Sequence, residues 1–222
     1  MKRLHILYTL LFIWLLPVTS NGQPAGKEKL RVISYNIWNG FEHDASRRAN
    51  FINWIKGQQP DILAMTELVG FTEKDLGQLA SEYGHKYYAI VKEEGYPVGI
   101  TSNEPITVVK KQMEGFWHGM LHVKTHGLDM IVTHLSPHDW KFRLKEAQML
   151  TSYIQDNQLD NCMVMGDFNA YSPFDADWVE THAQLIENMQ KWDAEQETYR
   201  NMRDGRFDYS VLSKFLSIGL TD

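Results

Sequence analysis

Apolar and polar positions recur along this chain with two periods, and the switches between them mark its elements. Leu30, Val32, Ile33, Tyr35 and Ile37 sit among polar residues at near-alternate positions, so residues 30–38 read as a strand running into Asn39-Gly40. Over residues 46–56 the period lengthens: Ala49, Ile52 and Ile55 share one helical face, Gly57 stops the helix and Pro60 follows. Residues 61–65 form a short apolar run, a buried strand, with Thr66-Glu67 at its end. Residues 72–83 read as a helix capped by Thr72 and closed by Gly84. Strands are expected over 87–92, 98–102 and 106–110, and a hairpin joins 116–124 to 128–134 through Thr125-His126-Gly127. A second clear amphipathic helix spans 140–154, where Leu144, Ala147, Leu150 and Ile154 share a face. Residues 162–166 read as a buried strand and 176–191 as one helix. Residues 207–216 fit either a strand or a helix, since Phe207, Val211 and Phe215 are four apart. Strands mixed with helices in this order indicate an α/β or α+β architecture in layers.

Composition refines that picture. At 222 residues, 43% apolar and with seven Trp, the chain is long enough for a large core and too apolar for disorder. Residues 1–22 stand apart: Lys2-Arg3, an apolar run from Leu4 to Pro17, then Ser20-Asn21-Gly22 before Gln23, the pattern of an export signal too short for a comfortable membrane span. The expected division is a signal peptide over 1–22, a polar leader over 23–29 and one domain over 30–222, exported to the periplasm or beyond. Cys162 is the one cysteine, so no internal disulfide can form, and its apolar run suits a core thiol. Removing Lys2 and Arg3 with the signal leaves 20 basic residues against 28 acidic, a net charge near −8, which disfavours bulk electrostatic binding of nucleic acid. A bound metal changes the local field, so charge alone does not exclude a nuclease.

Four expected strands end in polar groups suited to phosphate and metal chemistry: Asn36, Glu67, His134 and the pair Asp167/Asn169. Asp167 and Asn169 lie two apart after the tight turn that Gly166 permits, so on extended backbone both point the same way. Hard divalent cations take oxygen ligands, and Mg²⁺ uses one or two protein carboxylates while keeping several waters. Glu67 is the natural first ligand. Asp167 can orient or deprotonate a water or reach the metal through one, Asn36 and Asn169 can donate to phosphate oxygens, and His134 can donate to an oxygen whose charge grows in the transition state. Each residue alone equally fits an ordinary turn or surface position; their ordered series carries the weight.

The series resembles the endonuclease/exonuclease/phosphatase superfamily, with its DNase I-like and sphingomyelinase-like members. The matching stretches are Val32-Ile33-Ser34-Tyr35-Asn36-Ile37, Pro60-Asp61-Ile62-Leu63-Ala64-Met65-Thr66-Glu67, Tyr96-Pro97-Val98-Gly99-Ile100-Thr101-Ser102, Val132-Thr133-His134-Leu135 and Met165-Gly166-Asp167-Phe168-Asn169-Ala170. Thr66 departs from the Gln usual before the metal-binding Glu. The resemblance implies a four-layer α/β/β/α sandwich, Mg²⁺ or Mn²⁺, and in-line attack of water on a phosphoester. It assigns metal binding to Glu67, Asn36 and Asp167, phosphate binding to Asn36, His134 and Asn169, and catalysis to His134, Asp167 and Asn169.

The family's closing Ser-Asp-His motif has no counterpart here, and Gly205-Arg206-Phe207-Asp208-Tyr209-Ser210 comes early for its Arg-Ile-Asp-Tyr-like strand. The expectation is a chain that stops before the last strands, with Asp208 outside the catalytic set. The substrate is a nucleic acid, a phospholipid headgroup or a small phosphodiester, taken by a monomer without a stable protein partner. Arg47-Arg48 and Lys141-Arg143-Lys145 suit a solvated helix face as well as a nucleic-acid groove. Trp38-Asn39-Gly40-Phe41 and Phe116-Trp117-His118 suit the core as well as a lipid-facing wall. The competing class is a non-catalytic binding module on the same fold.

Overall fold

A computed structural model describes residues 29–222. The apolar leader over 1–22 and nearly all of the 23–29 segment lie outside the described residues. The chain builds two four-stranded mixed sheets. The first holds β1 (Val32–Asn36), β2 (Ile62–Thr66), β3 (Tyr87–Ile90) and β4 (Gly99–Ser102) in the order β1-β2-β4-β3. The second holds β5 (Thr107–Gln112), β6 (Met120–Thr125), β7 (Leu128–His134) and β8 (Cys162–Asp167) in sequence order. β1 runs parallel to β2 and β7 parallel to β8; the other pairs are antiparallel. The helices are α1 (Trp38–Phe41), α2 (Ala45–Gln58), α3 (Glu73–Glu82), α4 (Trp140–Asp156), α5 (Ala176–Glu180), α6 (Ala183–Ala194) and α7 (Ser210–Leu216).

Three apolar clusters define the four layers. Ile62, Ala64, Val98, Ile100 and Leu121, Val123, Met130, Val132 meet between the sheets. Phe51, Ile52 and Ile55 of α2, with Leu76 and Leu79 of α3, pack on the outer face of the first sheet against Leu63 and Met65. Ala147, Leu150 and Ile154 of α4, with Val211 and Phe215 of α7, cover the second sheet over Met120 and Ile131. Strand β2 shows why its apolar run has no alternation: it is central in its sheet and covered on both faces, so all five residues are buried. Burying Ile62, Leu63 and Met65 contributes about 1.5–3 kcal/mol each.

Local chemistry sets the boundaries. Thr72 and Asp75 form a reciprocal capping box at the start of α3. His126 and Gly127 both take positive φ (53° and 75°), the conformation that a two-residue hairpin turn requires. Several expectations are corrected. α2 runs through Gly57 to Gln58 and ends where Gln59 turns left-handed at φ 49°. Its inner face holds Phe51 where the periodicity had put Ala49, which is exposed. The first hairpin strand begins at Met120 instead of 116, because Gly115 and Gly119 take positive φ ahead of it. The single helix over 176–191 is two, α5 and α6, broken at Thr181-His182, and within residues 207–216 only Ser210–Leu216 is helical, with Phe207, Asp208 and Tyr209 ahead of it in irregular backbone. The expected buried strand at 162–166 is an edge strand. Met165 is buried there but Met163 is 39% exposed, since β8 has a neighbour on one side alone among the described residues. Cys162 is accordingly half-buried, and burial raises its thiol pKa. Among the described residues no helix is long and apolar enough to cross a membrane.

Candidate active site

The five polar strand ends meet at one place because two parallel pairs, β1/β2 and β7/β8, deliver them. In the second sheet His134 and Asp167 are direct register partners. That register depends on a close approach. Gly166 sits opposite Thr133 at φ 131°, and a Cβ there would collide with the Thr133 carbonyl. In the first sheet Asn36 pairs with Thr66, so the next residue, Glu67, emerges beside it. Strands β1 and β8 lie next to each other across the two sheets, which brings both sets together.

Asn36 is the hinge pin of the arrangement. Its side-chain Nδ2 donates to Glu67 Oε1 at 2.9 Å and to Asp167 Oδ2 at 3.1 Å, while its Oδ1 accepts from the Trp38 amide at 2.8 Å. Glu67 is buried, at φ 59°, and its second oxygen accepts from the Asn39 amide at 2.8 Å. Left-handed backbone is costly for a non-glycine residue and gathers at functional sites. Here it extends to six successive residues, Trp38 to His43, and that turn aims the Asn39 N–H at Glu67. Gly40 within it packs against Val69 so closely that a Cβ would collide with the Val69 carbonyl. Asp167 Oδ1 accepts from the Asn169 amide at 3.0 Å, and Asn169, at φ 48°, donates its side-chain NH₂ to the Leu135 carbonyl at 3.0 Å. The second hydrogen of that NH₂ remains to be donated.

His134 is buried, and burial holds its pKa below the ordinary imidazole value against the opposing pull of Asp167 and Glu67. The neutral ring stays a one-proton donor. Its Nε2 lies 3.9 Å from Asp167 Oδ2, too far for a hydrogen bond, so both groups can face a third one. Its Nδ1 is buried with no hydrogen-bond partner. The ring stacks instead on His118, with centroids 4.4 Å apart and planes at 29°. Burial, then the neighbouring His134, push His118 down to about 3.

Asn36, Asp167 and Asn169 line a cleft of about 870 Å³ that also reaches Tyr35, Tyr171 and Arg143. Among the described residues no cluster of three or more His, Cys, Asp or Glu side chains could hold a metal by itself. The donor set nonetheless suits a hard cation that keeps its waters. Glu67 and Asp167 converge on one amide, and each carboxylate oxygen accepts a single hydrogen bond with further lone pairs to spare.

Asp208 lines the same cleft but is engaged elsewhere: its Oδ2 accepts from Ser210 N at 3.1 Å at the start of α7, and Arg203 lies 3.7 Å from its Oδ1. The basic clusters do not form a groove. Arg47 and Arg48 pair with Glu42 and Glu82. Arg143, expected on a solvated face, is buried and donates to the Ser136 carbonyl (2.9 Å) and to Asn201. Of the aromatic walls, Phe41 and Phe116 are core, whereas Trp38 is 53% exposed beside the site. Sequence reasoning missed His118, Arg143 and Glu146. For the last two a signal existed: positions 143, 146, 147, 150 and 154 fall on one helical stripe, so the charged pair belongs to the inner face of α4.

The model of the endonuclease/exonuclease/phosphatase family matches residues 33–215. Comparison with curated proteins gives no significant match. Solved structures share the fold. A 3′–5′ exonuclease from Neisseria meningitidis has a TM-score of 0.60 at 18% identity, covering 86% of this chain and 72% of its own. An AP endonuclease from Archaeoglobus fulgidus has 0.56 at 19%, covering 86% and 70%. A 3′ phosphatase from Neisseria, bound to a product DNA hairpin, has 0.59 at 18%, covering 87% and 73%. The present chain thus spans about seven tenths of each of these structures.

Proposed function

The chain belongs to the endonuclease/exonuclease/phosphatase family, and on that premise we propose that it is a divalent-metal-dependent phosphoesterase that splits a P–O bond by in-line attack of water. The observation that supports this reading most strongly is the convergence of Glu67 and Asp167 on the Asn36 amide, with His134 3.9 Å from Asp167. Glu67 and Asp167 would hold one Mg²⁺ or Mn²⁺ together with water. Bound there, the ion would polarise a phosphoryl oxygen and make its water more acidic.

The chain's own groups divide the remaining work. The Asn169 side chain orients the phosphate, and Asn36, whose two amide hydrogens both go to Glu67 and Asp167, fixes the spacing of the two carboxylates. Asp167 orients the attacking water and accepts its proton. His134, neutral and desolvated, donates a hydrogen bond to the oxygen on which charge develops; in a site shielded from water such a donor is worth several kcal/mol. An acidic exported chain whose Arg47 and Arg48 are ion-paired favours a small phosphodiester or a lipid headgroup over long nucleic acid. The test is a substrate panel run with the full chain: bis(p-nitrophenyl) phosphate, a short single-stranded DNA and phosphatidylcholine vesicles, with Mg²⁺, Mn²⁺ or EDTA. Turnover of at least one substrate that needs the metal and stops in EDTA is expected. No turnover of any substrate with either metal would overturn the reading in favour of a binding module.

A further inference from the structure

His134 needs its ring held at a fixed angle to serve Asp167 and a substrate oxygen, yet its Nδ1 has no partner and its Nε2 is 3.9 Å from Asp167. Packing on His118 does the holding. His118 belongs to the loop between β5 and β6, and that loop is fastened one residue earlier: Trp117 N donates to Glu146 Oε1 at 2.7 Å. The other Glu146 oxygen accepts from Ser136 N at 2.8 Å, two residues past His134 in the loop between β7 and α4. Glu146 is fully buried on the inner face of α4, one turn after Arg143, which ties the Ser136 carbonyl to the same helix.

We propose that Glu146 is a positioning residue of the site: by accepting from the Trp117 and Ser136 amides it clamps two loops together and so holds the His118 ring against the His134 ring. This rests on the phosphoesterase reading for its effect on rate, but not for its effect on the stack. A buried carboxylate is costly to retain unless both oxygens are satisfied, and both are satisfied here by backbone of the loops that carry the two imidazoles.

The clamp has a pH dependence. Burial pushes the Glu146 carboxyl up to about 7, against the opposing effect of the two amide bonds and of Arg143. Arg143, on the same helix, is the charged group facing it, and Arg143 in turn faces Asp208, Asp139 and Asp193. The two loops packed on Glu146 carry His118 and His138. Once protonated, Glu146 places an O–H where an amide N–H points and keeps one acceptor of two, so the clamp loosens as pH falls through about 7. Because the folded value lies above the ordinary 4.5, taking up this proton costs the fold no stability. The loosening is local.

The test combines NMR and kinetics on the full chain. In the wild type, the nuclear Overhauser contact between the His118 and His134 rings should be strong at pH 8 and fade by pH 6, with no fall in Tm. In Glu146→Gln, where an NH₂ replaces one of the two accepting oxygens, the contact should be weak at both pH values. With bis(p-nitrophenyl) phosphate and Mg²⁺, its kcat should fall about 10- to 100-fold with KM nearly unchanged, as for a misplaced reacting group. The acid limb near pH 7 should disappear from its pH profile. A ring contact that ignores pH in the wild type, or a Glu146→Gln variant that keeps both the contact and the wild-type profile, overturns the proposal. If Glu146→Gln does not fold, the wild-type pH series decides. If the wild type hydrolyses nothing, the phosphoesterase reading falls and the ring contact still judges the clamp.

Discussion

Asp167→Asn is expected to lower kcat for phosphodiester hydrolysis by about 10²–10⁴-fold, roughly 3–5 kcal/mol of barrier, while the protein stays folded. The substitution is isosteric. It keeps an oxygen for the Asn169 amide but turns an NH₂ toward the Asn36 NH₂, which now donates to Asp167 at 3.1 Å. It also removes the proton acceptor beside His134. In metal-free protein Glu67 and Asp167 are like charges sharing one amide, so neutralising one relieves repulsion. Tm without metal should therefore stay level or rise even as activity collapses, the usual conflict between stability and a strained site. Steady-state rates paired with thermal melts check both halves. A variant that loses Tm in proportion to activity would mean that Asp167 is merely structural.

Gly166→Ala should be the most damaging single change to the fold per atom added. The residue stands at φ 131° in β8 with the Thr133 carbonyl where a Cβ would go, so β8 must move off β7. Backbone incompatibility and overpacking combine to roughly 4 kcal/mol or more, about 8–16 °C in Tm for a chain of this size. Because His134 and Asp167 are held by that same register, the surviving folded fraction should also lose the site. Differential scanning calorimetry of Gly166→Ala against the wild type tests this directly; a Tm within a degree or two would show that the two strands do not approach as closely as described.

What the sequence disclosed follows from how local each feature is. Glu67, His134 and Asp167 were visible because each ends an apolar run, and a strand's exit into polar residues is written in consecutive positions. Their convergence was not visible: the His134–Asp167 register and the approach of β1 to β8 are pairings across long stretches of chain. The edge position of β8 was hidden for the same reason, since an apolar run reads as buried whether one or two strands flank it. The left-handed turn over Trp38 to His43 carries one glycine, Gly40, and no pattern announces six positive φ values. Arg143 read as surface charge because charged residues are rarely buried, and Glu146 drew no reading at all, although both lie on the inner stripe of α4.

The most direct test of the account is a Mg²⁺ titration of Tm for the wild type and Glu67→Ala, which needs no substrate. If Glu67 and Asp167 hold the ion, saturating metal should stabilise the wild type by about 2.7 kcal/mol at a hundredfold excess over Kd, or roughly 5–10 °C. Glu67→Ala should show little or no response. A wild-type Tm that does not move across the millimolar range, or a Glu67→Ala variant that responds as the wild type does, would contradict the metal centre on which the proposed chemistry stands.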